Sequence, residues 1–347
     1  RTRERALIVS NRPFRKAFVF ACGGCSVFAR RAKQPHGQMT SLTPIRLIQF
    51  RAGYNLPVHA GAEVGHFARH GLEVEVSYTP NSVHLAEALE AGEYETGHTS
   101  ADDVIAEVEG RTPQARGGSD IFLFMGLHGG LLSLVGAPEF RSMESLRGKS
   151  LAVDSRRTGF VFILERMLRS NGIGPEEYDL VEVGGWGSRY QALLEGKHSG
   201  TLLTEPFLGD ALDAGCHLLA WGHEAVPVYQ ATCGAARRTW ARNNPDALIR
   251  YIRAYVEATQ WCLNPENRRA CLELLAGKVG IEGPAAERTL AALLDPRHGL
   301  HPRAELNVPG VAAALELRAE MGYLTHPVPP PEKYIDPRYY REAVGSG

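Results

Sequence analysis

The sequence predicts an α/β fold of two lobes, each a mainly parallel sheet with helices on both faces, joined by a two-strand hinge. Three observations carry this reading. Strand-like and helix-like patterns alternate from Ile45 onward, the alternation restarts near residue 132, and the chain after residue 228 reads as wholly helical.

Ile45-Arg46-Leu47-Ile48-Gln49-Phe50 alternates apolar and polar residues, as a half-buried strand does. Pro57 to His70 has helical spacing through Val58, Ala62, Phe67 and Ala68, and Gly71 stops it. Leu72 to Tyr78 alternates strictly and reads as the second strand. Ser82 is placed to cap a helix over Val83–Glu90. Thr96-Gly97-His98 reads as a short strand, Ser100–Glu109 as a helix and Asp120–Leu127 as a strand.

The second run opens with a turn at Ser142–Leu146. Strands follow at Lys149–Val153, Leu180–Val183, Thr201–Leu203 and Cys216–Ala220, separated by helices at Gly159–Ser170, Ser188–Glu195 and Pro206–Asp213. After Val226-Pro227-Val228-Tyr229 the pattern predicts helices near Thr239–Leu263, Pro265–Val279, Pro284–Leu294 and Val308–Met321, the first broken at Asn244-Pro245. Pro327 to Gly347 reads as an extended wrap or loop. A helical block without strands must pack on something, so the chain is expected to return to the first lobe. Lobe 1 then comprises residues 43–132 and 227–325, lobe 2 residues 133–226, and a tail residues 326–347. Crossings near Leu131–Val135 and Val226–Ala231 form a hinge that allows closure by rigid rotation.

A formal net charge of −1 leaves no basic field for a nucleic-acid backbone, so nucleic acid is not an expected partner. No run of 18 apolar residues occurs, and no transmembrane segment is expected. Cys22-Gly-Gly-Cys25 has no second pair at zinc-site spacing and reads as incidental. The four later cysteines read as core residues without a disulfide framework. His66 and His70 stand four apart without the glutamate of a zincin helix, so neither a metal nor a cofactor is expected. Residues 1–42 are set outside the fold. Arg1 to Lys16 is basic and Ala17 to Ala29 apolar, an order resembling a secretory signal, although Arg30 and Arg31 follow where small residues should mark cleavage. Met39, directly before the structured pattern, offers a second start. The first reading implies a periplasmic or lipid-anchored protein, the second a cytoplasmic one.

Five segments resemble one known family in its expected order. They are Tyr54-Asn55-Leu56-Pro57, the stretch Ala86 to Gly97, Ser145-Leu146-Arg147-Gly148-Lys149, Ala192-Leu193 with Glu195-Gly196, and Thr204-Glu205-Pro206-Phe207. Together they resemble the periplasmic-binding-protein type II fold, in its NMT1/THI5-like branch, the SsuA/THI5-like binders of nitrate, taurine and sulfonates. The resemblance covers about residues 44–325 and departs from the pattern at Ser199-Gly200, where an acidic residue is usual. It implies a substrate-binding protein of an ABC transporter, with a small-molecule ligand and a membrane permease as partners.

Ligands of open α/β sheets bind at the carboxyl ends of strands. That rule selects Arg51, Tyr54, Asn55, Asn81, Ser82, Thr99, Ser100 and His128 in lobe 1, and Ser155, Arg156, Thr158, Trp186, Arg189 and Glu205 in lobe 2. Helix N-termini with Ser82, Ser100 and Thr158 suit an anion, and Arg51, Arg156 or Arg189 suit a carboxylate or sulfonate. An anionic ligand is therefore expected, with Tyr54 and Trp186 as an apolar wall. Each residue also has a plain structural reading: the hydroxyls as helix caps, the arginines as surface charge, Trp186 and His128 as core. A competing function is an enzyme on the same fold, such as an aromatic-acid decarboxylase or a thiamine-precursor enzyme, with His128, Asp102 or Asp154 as acid or base. No nucleophile–base pair is visible to support it.

Overall fold

Two five-stranded sheets organise residues 41–110, 118–157 and 159–345, which the computed structural model describes. The signal-like run, Cys22-Gly-Gly-Cys25, Met39 and Thr158 lie outside the described residues. The chain forms β1 (Thr43–Gln49), β2 (Leu72–Tyr78), β3 (Thr96–Ser100) and β4 (Ile121–Gly126), then crosses to β5 (Ser133–Gly136), β6 (Lys149–Val153), β7 (Tyr178–Glu182), β8 (Gly200–Leu203) and β9 (His217–Trp221), and returns as β10 (Thr232–Arg237). The strand orders are β2-β1-β3-β10-β4 and β7-β6-β8-β5-β9. β1 pairs in parallel with β2 and β3, and β6 with β7 and β8, while β5 and β10 run antiparallel to their neighbours. Each sheet with its helices makes one lobe.

The helices are α1 (Leu56–Glu63), α2 (His66–Arg69), α3 (Ser82–Glu90), α4 (Ala101–Glu109), α5 (Val161–Ser170), α6 (Trp186–Leu194), α7 (Phe207–Asp213), α8 (Gly222–Ala225), α9 (Arg238–Asn243), α10 (Pro245–Leu263), α11 (Arg268–Leu274), α12 (Gly283–Leu293), α13 (Val308–Glu320) and α14 (Arg338–Val344). The break expected at Asn244-Pro245 separates α9 from α10. The single helix expected over Pro57–His70 is two, because Gly65 takes a left-handed φ of 83° between them. Asn81, not Ser82, caps α3: its side chain accepts the His84 N–H, and Ser82 is the first helical residue.

Two expectations fail for physical reasons. The block after residue 228 contains β10, whose sequence Thr-Cys-Gly-Ala-Ala-Arg shows no alternation. β10 is central and buried on both faces, so no polar face is needed, and small residues fill it. The tail is not a loose wrap. Ile335 pairs with Leu123 at the free edge of β4, and α14 buries Tyr339, Tyr340 and Ala343 against the first lobe.

The first lobe's core is set by α10, whose fully buried Tyr251 lies against Phe67 and Phe124 and donates or accepts a hydrogen bond at His98 Nε2, 3.0 Å away. Burial holds the His98 imidazolium off, pushing its pKa down to about 3. Cys216, Cys233, Cys262 and Cys271 are free and buried.

α13 docks where the chain returns between sheets. The Gln230 side chain donates to His128 O and Thr232 O and accepts the Asn307 N–H ahead of α13. Gly310 lies so close that an added Cβ would sit 2.4 Å from Gln230 N and 2.6 Å from the Tyr229 carbonyl carbon. Gly310→Ala should therefore cost about 1–3 kcal/mol through backbone displacement. Urea unfolding monitored by circular dichroism checks this, and an unchanged midpoint would show that α13 is not pinned there.

Candidate functional site

A cavity of about 40 Å³ lies between the lobes at the strand ends. The first lobe lines it with Phe50 and Tyr54 beyond β1, Thr99 and Ser100 at the end of β3, Asp103 on α4 and Thr232 on β10. Because β10 is antiparallel, its first residue pairs with Ser100 and reaches the same rim. The second lobe supplies Val153, Asp154 and Ser155 at the end of β6, Gly159, Phe160 and Val161 around the start of α5, Trp186 and Arg189 on α6, and Leu202 on β8. The cavity is narrow, with about 40 Å³ open to the centre of a water-sized sphere, so parting of the lobes widens the way in for an organic molecule.

Three backbone N–H groups close the lobes on each other. Gly159 N donates to Asp102 Oδ2 at 2.8 Å, Ser82 N to Asp154 Oδ2 at 3.2 Å, and Gly185 N to Pro80 O at 3.1 Å. Asp102 Oδ2 also accepts from Arg318 Nη1 of α13 at 2.9 Å, and both side chains are almost wholly buried. The Arg318 guanidinium lies 5.3 Å from the ring centre of Phe162 in α5, so α13 touches both lobes. Burial raises the Asp102 carboxyl, against the pull of Arg318 and the Gly159 N–H. At the far side, Arg288 of α12 reaches Asp210 at 2.9 Å and Asp213 at 3.1 Å on α7.

The lining is acidic. Asp103 forms a capping box with Ser100: its N–H donates to Ser100 Oγ, and its Oδ2 accepts from Ser100 N and from Thr99 Oγ1 at 2.8 Å. Its Oδ1 has no partner, and nor has Oδ1 of Asp154. Burial pushes the Asp103 carboxyl up to about 6, helped by the nearby charges of Asp102 and Asp154. Arg189 faces these carboxylates with its guanidinium 4.4 Å from the Trp186 ring centre, and donates from Nε to Gly184 O and from Nη1 to Leu202 O, both at 2.9 Å. Burial lowers its pKa to about 10 and raises that of Tyr54 to about 12.

Of the residues selected from the sequence, the cavity gathers Tyr54, Thr99, Ser100, Ser155, Trp186 and Arg189. The others lie elsewhere. Arg51 is exposed, 5.0 Å from the Tyr78 ring centre, on a separate surface groove. Asn55 donates to Phe50 O at 2.6 Å, and Asn81 serves as the cap of α3. Ser82 touches Asp154 only through its backbone. Arg156 is exposed and its N–H binds Glu182. His128 is buried against the Tyr54 ring at 4.9 Å, pushed down to about 3 by burial, and does not line the cavity. Glu205 accepts from Gly209 N and lines a different pocket with Trp221, His223 and His298. Asp103, Phe50, Phe160 and Thr232 escaped the sequence reading. Ser100-Ala101-Asp102-Asp103 did carry a signal, the spacing of a capping box. Among the described residues no group of His, Cys, Asp and Glu is placed to hold a metal, and no helix is long and apolar enough to cross a membrane.

Two α/β lobes closing over a site at their strand ends define the periplasmic-binding-protein type II class. Residues 43–276 match the model of the NMT1-like family, and the chain belongs to that family. No curated protein sequence matches it. Its fold is similar to the periplasmic nitrate-binding protein NrtA of Synechocystis PCC 6803, with a TM-score of 0.73 and 14% identity over 88% of this chain and 89% of that one. It is similar to the zinc-bound ligand-binding component of an ABC-type import system from Staphylococcus aureus, with a TM-score of 0.71 and 14% identity over 87% and 99%. The alkanesulfonate-binding protein SsuA of Xanthomonas axonopodis pv. citri, bound to MOPS, gives a TM-score of 0.67 and 19% identity over 82% and 96%.

Two predictions follow from the carboxylates. Asp102→Ala leaves the Arg318 charge buried without its partner and should cost about 3–5 kcal/mol; Asp102→Ala with Arg318→Met should cost clearly less than the sum of the single changes. Urea denaturation of the full double-mutant cycle checks this, and additivity would refute the coupling. Asp103 has a folded pKa raised from 3.8 to about 6, so the folded state holds its proton more tightly than the unfolded state. Its contribution is fully favourable below pH 4 and declines as pH rises towards 6, a change of roughly 3 kcal/mol. The stability difference between Asp103→Asn and wild type should shift by that order from pH 4 to pH 7, in favour of the variant; a pH-independent difference would refute the assignment.

Proposed function

We propose that the chain is a non-catalytic solute-binding protein that captures a small molecule between its lobes and delivers it to an ABC-type importer. The observation that carries this reading is the cavity lined from both sheets and sealed by three hydrogen bonds between lobes. A ligand seated there contacts both lobes only when they are closed, so it stabilises the closed form. Aromatic side chains from each lobe, Tyr54 and Trp186, offer apolar walls, and Asp103, Asp154 and Arg189 offer the polar groups that orient a ligand. The similar proteins named above bind nitrate or an alkanesulfonate or form the ligand-binding component of an ABC-type import system, which supports the same role here. In this reading the partner is a membrane permease and the protein works outside the cytoplasm, periplasmic or lipid-anchored. An anionic ligand, as expected from the sequence, has Arg189 as its one arginine contact in the cavity. Of the enzyme alternative's candidates, His128 is away from the cavity and Asp102 is committed to Arg318 and Gly159, while Asp154 lines the cavity with one oxygen held by Ser82 N.

The test is a thermal-shift screen of the full chain against nitrate, taurine, benzenesulfonate, benzoate, benzylamine, aminopyrimidines and riboflavin. A ligand at a hundred times its dissociation constant adds about 2.7 kcal/mol, a rise of several degrees. The expected result is a stabilising ligand recovered with unchanged mass, with at least tenfold weaker binding in Trp186→Ala. Conversion of the ligand to a new product would overturn the binder reading.

A further inference from the structure

We propose that the cavity selects a small organic cation, a protonated amine or quaternary ammonium borne on an aromatic or apolar body. This rests on the solute-binding reading and adds the chemical class of the solute.

Several of the donors that would hold an anion are already used. Asp103 caps its own helix by accepting from Ser100 N, Asp102 takes Gly159 N, and Asp154 takes Ser82 N at the start of α3. Three backbone N–H groups near the cavity thus already meet the protein's own carboxylates, and an anion seeking them must displace those carboxylates. Arg189 is similarly occupied. Two of its nitrogens are fixed by the carbonyls of Gly184 and Leu202, and its face lies on Trp186.

The acceptors are what remain. Oδ1 of Asp103, on a side chain only 7% exposed, and Oδ1 of Asp154 are buried and without partners. Both residues line the cavity, one from each lobe. A buried acceptor without a donor is costly, and a charged one more so. With Asp103 and Asp154 ionised and Arg189 protonated, the cavity has an excess of one negative charge. A protonated amine placed between the two carboxylates supplies both missing donors and balances that charge, and a quaternary ammonium balances the charge without donating. Either cation also joins the lobes. The walls suit the same guest, because they include the aromatic rings of Tyr54 and Phe160, and aromatic faces attract cations, as Trp186 already does for Arg189.

pH gives a signature independent of the ligand's own titration. Asp103 faces Asp102 on its own helix, Asp154 across the cleft, and Tyr54, Tyr229 and Cys233 around it. Asp103 loses its proton near pH 6. A cation requires the ionised form, so its affinity is highest above pH 7 and falls by roughly tenfold per unit well below pH 6.

The experiment is titration calorimetry on the full chain with benzyltrimethylammonium, benzylamine, benzoate and benzenesulfonate, from pH 5 to pH 8. Expected is binding of the two cations at pH 7.5 at least tenfold tighter than either anion. Asp103→Asn and Asp154→Asn, checked for folding by circular dichroism, should each weaken benzyltrimethylammonium at least tenfold. Asp103→Asn should also abolish the decline towards pH 5. Tighter binding of benzoate or benzenesulfonate would overturn the cation proposal and leave the solute-binding reading in place. Cation binding indifferent to both substitutions would overturn the assignment of this cavity. Failure of all four probes would count against both readings.

Discussion

The meeting of Asp102 Oδ2 with Gly159 N and Arg318 Nη1 is the constraint on which the geometry of the site depends. One oxygen accepts from the second lobe at 2.8 Å and from α13 at 2.9 Å. Residue 159 begins the turn that leads to Phe160, Val161 and α5, which form one wall of the cavity. Fixing Gly159 to α4 therefore fixes that wall relative to Ser100 and Asp103 on the other side. Arg318 is itself held by position rather than by many hydrogen bonds. Its Nε and Nη2 have no partners, and Phe162 and Tyr323 lie over its guanidinium. A buried pair of this kind contributes modestly to net stability but strongly to which arrangement is allowed, since separating its members strands two charges. Opening the lobes by the Gly159 contact alone leaves the Asp102–Arg318 pair intact. The ion pair can thus stay with the first lobe while the backbone donor comes and goes.

The same economy explains why the cavity is electrostatically uneasy. Three aspartates, at 102, 103 and 154, converge near the seam, each with one oxygen committed to backbone donors. Their second oxygens are buried and unpartnered. A stable core would replace such groups with apolar residues, and natural proteins keep them where a binding partner makes good the deficit. Arg189 offsets one of these charges, and burial lowers its own pKa against the pull of Asp154.

The fold was largely readable because parallel strands and their helices announce themselves by period. Leu72 to Tyr78 alternates, Gly71 and Gly92 end helices, and the strand bounds fell within a few residues of those read from pattern. β10 was unreadable for the opposite reason: a short central strand of Thr, Cys, Gly and Ala has neither alternation nor β-branched bulk after its first residue. α14 was hidden by the prolines before it. The site was legible only in part. The rule that ligands sit at strand ends located the right loops, yet side chains there divide between cavity and scaffold according to contacts that sequence does not encode. Arg51 turns outward to Tyr78 while Arg189 turns inward to Trp186. Asp103 looked like half of a helix cap, and it is one; its second oxygen lies at the cavity beside Gly159, a neighbour far along the chain.

Closure and capture are then linked by arithmetic rather than by contact alone. The closed form leaves only a narrow cavity, so parting of the lobes opens the route by which a solute enters. Apparent affinity is the intrinsic affinity reduced by the fraction of molecules open enough to be entered. Strong contacts between empty lobes would therefore weaken capture, and very weak ones would let empty and loaded protein look alike to a partner that reads the closed shape. Single backbone hydrogen bonds, each worth about 0.5–1.5 kcal/mol net, lie in the range where both demands are met. Unpartnered carboxylate oxygens across the seam shift the balance further, because in the empty protein they oppose closure and with a bridging donor they favour it. The side chains that destabilise the empty closed form are thus the same ones that make the loaded closed form distinct.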